Sequence, residues 1–330
     1  MSTEMLTTMQ TEMRCDTLIE ELLLHAVRLG ASDLHLTELK PPAFRVDGDL
    51  LKVERGRVNV SDMNRFLDKY IPQGYAGLDG DFSFTFCERR WRGNYFHSGG
   101  KRLSLALRLL PLTIPRIQEL RLPESFLKAA SLRDGIILVT GPTGSGKSTT
   151  IAALIRHLLE LRSVHLITIE NPVEYLFEPT NHSIVNQREI GTDTVDIAYA
   201  LKYALRQDPD VILVGEIRDT ETARLAVNAA ETGHLVFATL HTISVVETVN
   251  RLYGLFPPLE RHLVQQQIAS ALRLVVAQRL VKAPEGGRRA VVEALFPHDP
   301  VRELIREGRS YEIPLYLEGA EYINTMGVTG

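Results

Sequence analysis

Cysteine is nearly missing from this 330-residue chain, which holds only Cys15 and Cys87. Two cysteines cannot build a four-thiolate zinc site or a disulfide framework, and their scarcity fits a reducing compartment. Charge of one sign is also missing. Lys and Arg total 37 against 41 Asp and Glu, a formal net charge of −4. A mildly acidic chain with no aromatic-basic stripe standing out argues against a nucleic-acid partner. No apolar run approaches the roughly 18–20 residues that span a bilayer, so direct membrane insertion is not expected. The opening residues lack the basic patch and apolar core of a secretory signal. Internal repeats and low-complexity tracts are absent too. What remains is an ordinary globular composition, 44% hydrophobic and 24% charged. The length suggests about two domains.

The chain divides by texture. Residues 1–15 are polar and rich in Met and Thr, and read as a flexible tail. From Asp16, the residues Leu18, Ile19, Leu22, Leu23, Ala26 and Val27 recur at three- and four-residue steps, and Gly30 is placed to stop that helix. Short alternating segments follow at 33–36, 43–46, 50–53, 82–86, 91–96 and 103–109. Residues 16–110 therefore read as a small α+β domain. Two prolines, Pro111 and Pro115, open a linker at 111–122, because proline holds the chain extended. Beyond it, 123–330 alternates buried-looking runs at 135–139, 165–169, 211–214 and 235–239 with helical stretches. That pattern predicts an α/β domain, a parallel sheet covered by helices on both faces.

The sharpest motif is Gly141-Pro142-Thr143-Gly144-Ser145-Gly146-Lys147-Ser148, followed by Thr149. It matches the phosphate loop G-x-x-x-x-G-K-[ST], with an apolar strand before it and a helix after. Glycines let backbone N–H groups turn onto phosphate oxygens, and the helix N-terminus adds the positive end of a dipole. Lys147 is placed for the β- and γ-phosphates and the Ser148 hydroxyl for Mg²⁺. ATP and Mg²⁺ are the expected cofactors. An unliganded glycine-rich turn is the bland alternative, and the full strand–loop–helix context disfavours it.

Such a loop needs an acid behind the metal and a group to activate water. The run 211–214 delivers Glu216 at its C-terminal end, where ligands of open α/β sheets bind. The run 166–169 ends in Glu170-Asn171-Pro172-Val173-Glu174, two carboxylates four residues apart. Either acid alone is more often a surface or cap residue. Their repeated placement after buried strands favours chemistry. His234 and His241 bracket 235–240, with neither an H-E-x-x-H pattern nor a cysteine partner to support zinc. His241 lies at the ligand edge, where an imidazole can sense the γ-phosphate. The plain alternative is a hydrogen-bonded strand-end histidine.

Four blocks together carry a resemblance: Gly141-Pro-Thr-Gly-Ser-Gly-Lys-Ser-Thr-Thr150, Thr168-Ile-Glu-Asn-Pro-Val-Glu174, Arg206-Gln-Asp-Pro-Asp-Val-Ile-Leu-Val-Gly-Glu-Ile-Arg-Asp219 and Ala230-Glu-Thr-Gly-His-Leu-Val-Phe-Ala-Thr-Leu-His-Thr242. The chain resembles the type II/IV secretion ATPase superfamily, and within it the PilT-like retraction motors of type IV pili. Ala31-Ser-Asp-Leu-His-Leu36, Arg45-Val-Asp-Gly48 and Val185-Asn-Gln-Arg-Glu189 extend the likeness to nearly the whole chain. The resemblance implies a RecA-like P-loop ATPase domain after a smaller PAS-like α+β domain. It implies Glu174 as general base, Glu216 as Walker B acid, and His234 with His241 as a histidine box. It implies Arg90, Arg92 and Arg108 as arginines reaching nucleotide phosphates, solvated strand arginines being the alternative. It further implies a cytoplasmic homohexamer held at the inner membrane through a platform protein, with an assembly ATPase of the same machine as a further partner.

Three features favour retraction motors over assembly and secretion members. No tetracysteine insertion follows the histidine box, the stretch before the first domain is short, and Pro300-Val-Arg-Glu-Leu-Ile-Arg-Glu307 is similar to their C-terminal signature. That last segment also reads as a helix with Val301, Leu304 and Ile305 on one face. Departures are Asn171, where the family has Asp, and Ala277-Gln-Arg-Leu-Val281, which is closer to secretion members. Type IVB secretion or conjugation ATPases of the same chemistry, a nucleic-acid translocase and a non-hydrolysing nucleotide-bound assembly protein are the competing readings.

Overall fold

The computed structural model describes residues 15–54, 56–71, 74, 77–283, 288–316 and 322–325. Apart from Cys15, the segment expected as a tail lies outside the described residues. The chain forms two compact units, Met1–Leu112 and Thr113–Gly330. Within the stretch read as a linker, Ile117 and Leu122 are buried in the core of the second unit, so most of that stretch is part of that unit.

The first unit opens with α1 (Leu18–Leu29), capped by Thr17 in a capping box with Glu20 and closed by Gly30 at φ 65°. A left-handed residue there is the ordinary glycine helix stop. Six strands follow, β1 (Asp33–Thr37), β2 (Ala43–Val46), β3 (Asp49–Lys52), β4 (Asp79–Phe86), β5 (Arg89–Ser98) and β6 (Arg102–Leu109). They make one antiparallel sheet in the order β3-β2-β1-β6-β5-β4. A second helix, α2 (Val60–Tyr70), has no counterpart in the sequence expectations. Only Met63, Phe66 and Leu67 are buried along it, too sparse a stripe to read. The core joins Ile19 and Leu23 of α1, these α2 residues, and Phe44, Trp91, Leu105 and Leu107 of the sheet.

The second unit carries an eight-stranded sheet. Its strands are β7 (Gly135–Thr140), β8 (His165–Glu170), β9 (Ile184–Glu189), β10 (Val211–Val214), β11 (Leu235–Leu240), β12 (Leu272–Lys282), β13 (Arg288–Leu295) and β14 (Tyr322–Asn324). The order is β14-β13-β12-β7-β11-β10-β8-β9. From β12 to β9 every pairing is parallel, as the buried apolar runs predict. The sheet then continues antiparallel through β13 and β14, an extension the sequence reading did not contain. A short connection joins β12 to β13, and short connections permit only antiparallel neighbours.

Helices cover both faces. α3 (Ser125–Ala130) and α4 (Lys147–Leu161) lie on one, packed on Ile137, Val139, Leu213 and Phe237. The other face, with Ile136, Leu138, Ile212 and Val236, takes α5 (Ile197–Ala204), α6 (Thr220–Glu231), α7 (Val245–Gly254), α8 (Arg261–Ala271) and α9 (Asp299–Arg306). Alternate residues of one strand thus feed two separate cores, the reason these strands are apolar throughout. α9 buries Val301, Leu304 and Ile305 as its spacing predicts.

Candidate nucleotide and catalytic site

The phosphate loop leaves the C-terminal end of β7 and runs into α4, whose N-cap is Gly146. Gly141 sits at φ 140°, and a Cβ there would come within 2.1 Å of the Gln278 carbonyl. No other residue fits that position. Lys147 Nζ donates to the carbonyls of Gly141 and Pro142 at 2.9 and 3.0 Å. Burial lowers its pKa against the opposing pull of Glu216 and Glu174. Both carboxylates thus act electrostatically on the loop lysine. Thr149 and Ser148 follow in the first turn of α4, whose N–H groups have no acceptor within the helix.

Gln278 of β12 clamps the loop from behind. Its Nε2 donates to the Ser145 carbonyl at 2.7 Å, and its Oε1 accepts from the Thr150 hydroxyl at 2.8 Å. Sequence reasoning quoted this glutamine only as part of a subfamily marker. Its signal in the sequence was a polar residue directly after the apolar run 274–277; in the fold it is 2% exposed, and such a residue needs a buried partner.

Glu216 lies beyond the end of β10. The turn before it is locked between the neighbouring strands. Gly215 N–H donates to Ile169 at 2.8 Å, Thr239 Oγ1 donates to the Gly215 carbonyl at 2.5 Å, and Ile217 N–H donates to Thr239 at 3.0 Å. A Cβ at Gly215 would lie 2.9 Å from the Ile169 carbonyl. Glu216 pairs with Arg218 at 2.6 Å and with His241 Nε2 at 3.0 Å. Burial opposes its charge, but Arg218 and His241 outweigh that and hold its pKa below the ordinary range. Arg218 is a site residue the sequence reading missed. It stood two residues from Glu216 with nothing to set it apart from a surface arginine.

Glu170 ends β8, with Thr168 Oγ1 donating to it at 2.7 Å and Gln187 Nε2 at 3.3 Å. Burial pushes its pKa up to about 7. Glu174 follows on the loop 171–177, half-buried.

The two histidines separate. His241 follows the C-terminal end of β11 and meets Glu216. His234 precedes the N-terminal end of the strand, its Nδ1 donates to the Ala229 carbonyl at 2.9 Å, and its own carbonyl receives Gly135 N–H. Seven residues of extended strand set them roughly 23 Å apart. Within one chain, therefore, His234 is not at the phosphate loop. The pair expected as one box occupies opposite edges of the sheet, because a parallel strand carries its two flanking residues to opposite edges.

In the first unit, Arg90 and Arg92 of β5 and Arg108 of β6 share one face of the antiparallel sheet. Arg92 and Arg108 are direct cross-strand partners. Trp91 and Leu107 beside them are fully buried, so the arginines occupy the face opposite the core. Asp33 holds Arg108 at 2.7 Å, Asp81 lies 3.8 Å from Arg92, and Ser83 accepts from Arg90 at 2.6 Å.

This geometry meets known proteins. The profile of the type II/IV secretion system protein family matches residues 105–312. The chain is 41% identical over 297 residues to the type IV pilus retraction ATPase PilT of Pseudomonas aeruginosa, covering 88% of this chain and 86% of that one. The chain belongs to the type II/IV secretion system protein family. It is an ATP hydrolase of that family. A crystal structure of the pilus retraction motor PilT with bound ADP superposes with a TM-score of 0.84 at 43% identity, covering 90% of this chain and 88% of that one. The ATPase DotB of Legionella pneumophila gives 0.80 at 33% identity, covering 93% and 88%. Among the described residues, no helix is long and apolar enough to cross a membrane.

Proposed function

We propose that this family member is a Mg²⁺-dependent ATPase motor that drives retraction of a type IV pilus. The observation that carries the reading is the complete phosphate loop between β7 and α4, with Glu216 beyond the end of β10 on the same sheet edge, in a chain 41% identical to a retraction ATPase. Ser148 and Glu216 offer hard oxygen donors. That suits Mg²⁺, which takes one or two protein oxygens and completes its shell with phosphates and water. Bound Mg²⁺ would neutralise charge on the β- and γ-phosphates. Lys147 would exchange its two carbonyl contacts for phosphate oxygens. Glu174 would take the proton of the attacking water, and His241 would sense the γ-phosphate from beside Glu216. His234 acts in this scheme only if the ring brings another chain to it.

Assembly as a homohexamer, docking on an inner-membrane platform protein, and alternation with an assembly ATPase of the same machine belong to this proposal. The face shared by Arg90, Arg92 and Arg108 supports a role in reading phosphate charge, since guanidinium pairs strongly with phosphate. Loss of that charge on hydrolysis would release the first unit and produce motion. The likeness to DotB keeps a secretion ATPase of similar chemistry as the second reading.

The deciding experiment counts surface fibres on producing cells with and without the gene. Retraction predicts more fibres on deletion. Loss of fibres indicates assembly, and an unchanged count indicates the secretion reading.

A further inference from the structure

The loop 171–177 that carries Glu174 has the alternation of a strand. Val173, Tyr175 and Phe177 are 4%, 5% and 7% exposed, whereas Leu176 is 57% exposed. Glu174 falls on the outward set, and its charge acts on Lys147. Among the described residues, no strand pairs with this loop. A side chain takes that place instead. Gln187 of β9 accepts from Phe177 N–H at 2.9 Å through Oε1 and donates to the Tyr175 carbonyl at 2.8 Å through Nε2. One carboxamide thus reads the C=O and N–H of residues two apart, as a backbone neighbour does in a β ladder. Its second amide hydrogen reaches Glu170 Oε1 at 3.3 Å, which uses its full donor capacity. Two residues along β9, Glu189 Oε2 accepts from Val173 N–H at 3.0 Å. On its other side the loop touches the phosphate-binding helix directly, where the Tyr175 hydroxyl lies 2.8 Å from Thr149 Oγ1.

We propose that Gln187 is the positioning residue for Glu174, and that the Tyr175–Thr149 contact ties the loop it holds to the phosphate cradle. The inference rests on Glu174 being the general base. Neither Gln187 nor Tyr175 touches the reacting atoms in this scheme. They fix the carboxylate's distance from the γ-phosphate, where a shift of an ångström costs about 100-fold in rate.

The test compares full-length Gln187→Ala, Tyr175→Phe and Glu174→Gln with wild type. Steady-state phosphate release gives kcat and KM for ATP, and a fluorescent ADP analogue reports nucleotide affinity. Gln187→Ala is expected to lower kcat roughly 10- to 100-fold, and Tyr175→Phe about 3- to 10-fold, with nucleotide affinity held within about twofold. A role that was merely structural would lower affinity and kcat together, and that result overturns the proposal. So does an unchanged kcat in Tyr175→Phe. Should Gln187→Ala not fold, Tyr175→Phe, which deletes one oxygen atom, carries the test alone. Ordinary turnover in Glu174→Gln would remove the general-base reading itself. Turnover lost in Glu174→Gln but kept in both other variants would remove only the positioning role.

Discussion

Glu170 and Glu216 stand at the ends of adjacent parallel strands, β8 and β10, on the same edge of the same sheet. Their surroundings drive them apart. Glu170 is half-buried, and its donors, Thr168, Gln187 and the Glu174 backbone N–H, are all neutral, so desolvation pushes its pKa from 4.5 to about 7. Glu216 is also penalised by burial, yet the Arg218 guanidinium and His241 reverse the sign and hold it anionic. The sheet edge supplies the location, and the partners decide the chemistry. A carboxylate that stays charged suits metal and phosphate work. One that spends its oxygens on neutral donors holding a loop suits a structural part.

The largest effects should fall on the charged members of that edge. Lys147→Ala and Glu216→Gln should each lower ATP turnover by about 100- to 1000-fold, measured by phosphate release, since each removes charge aimed at the transferring phosphoryl group. Turnover within a factor of two of wild type in Glu216→Gln would erase the distinction from Glu170. His241→Ala should cost about tenfold, because it removes one of two partners that keep Glu216 placed. His234→Ala should leave the ADP affinity of the isolated chain unchanged, as its side chain sits at the far edge.

The pH dependence sharpens the comparison further. A raised carboxyl pKa means that the folded state holds a proton the unfolded chain has already lost. Glu170 therefore costs stability progressively as pH rises from about 4.5 to about 7, on the order of 3 kcal/mol in full. Glu170→Gln should flatten the thermal midpoint of the protein between pH 5 and 8 relative to wild type, a change of scale read by melting curves. An identical pH profile would show that Glu170 ionises normally. Glu216 has the opposite sign. Its lowered pKa stabilises the fold at neutral pH, and that contribution is lost as pH falls below the ordinary carboxylate range. Arg218→Ala, the smallest expected effect, should raise the acid midpoint of unfolding by a few tenths of a pH unit, roughly what loss of one partly exposed pair yields.

Local patterns carried most of this into the sequence. The helix stop at Gly30, the parallel strands at 135–139 and 211–214, and the apolar face Val301–Leu304–Ile305 are all visible because burial leaves a period. The phosphate loop is legible because its glycines are forced, as the 2.1 Å approach at Gly141 illustrates. What stayed hidden depends on long-range pairing. Gln187 and Gln278 are lone amides whose partners lie 10 to 17 and 128 to 133 residues away, and no spacing rule connects them. The separation of His234 from His241 was legible in the strand they bracket, and only the resemblance to a histidine box grouped them. Seven positions of extended strand span the sheet from one end of its strands to the other. The antiparallel addition of β13 and β14 follows from a connection length that sequence alone did not delimit.

The most direct test measures single-turnover ATP hydrolysis in Glu174→Gln and Glu170→Gln side by side, with ATP binding measured on the same samples. The account predicts that Glu174→Gln binds ATP as wild type does but hydrolyses it about 100- to 10,000-fold more slowly, the range of a lost general base. It predicts that Glu170→Gln retains hydrolysis within about tenfold, since its loss disturbs only the anchoring of the loop. Rapid hydrolysis by Glu174→Gln together with a collapse in Glu170→Gln would contradict the assignment and place the base on Glu170 instead.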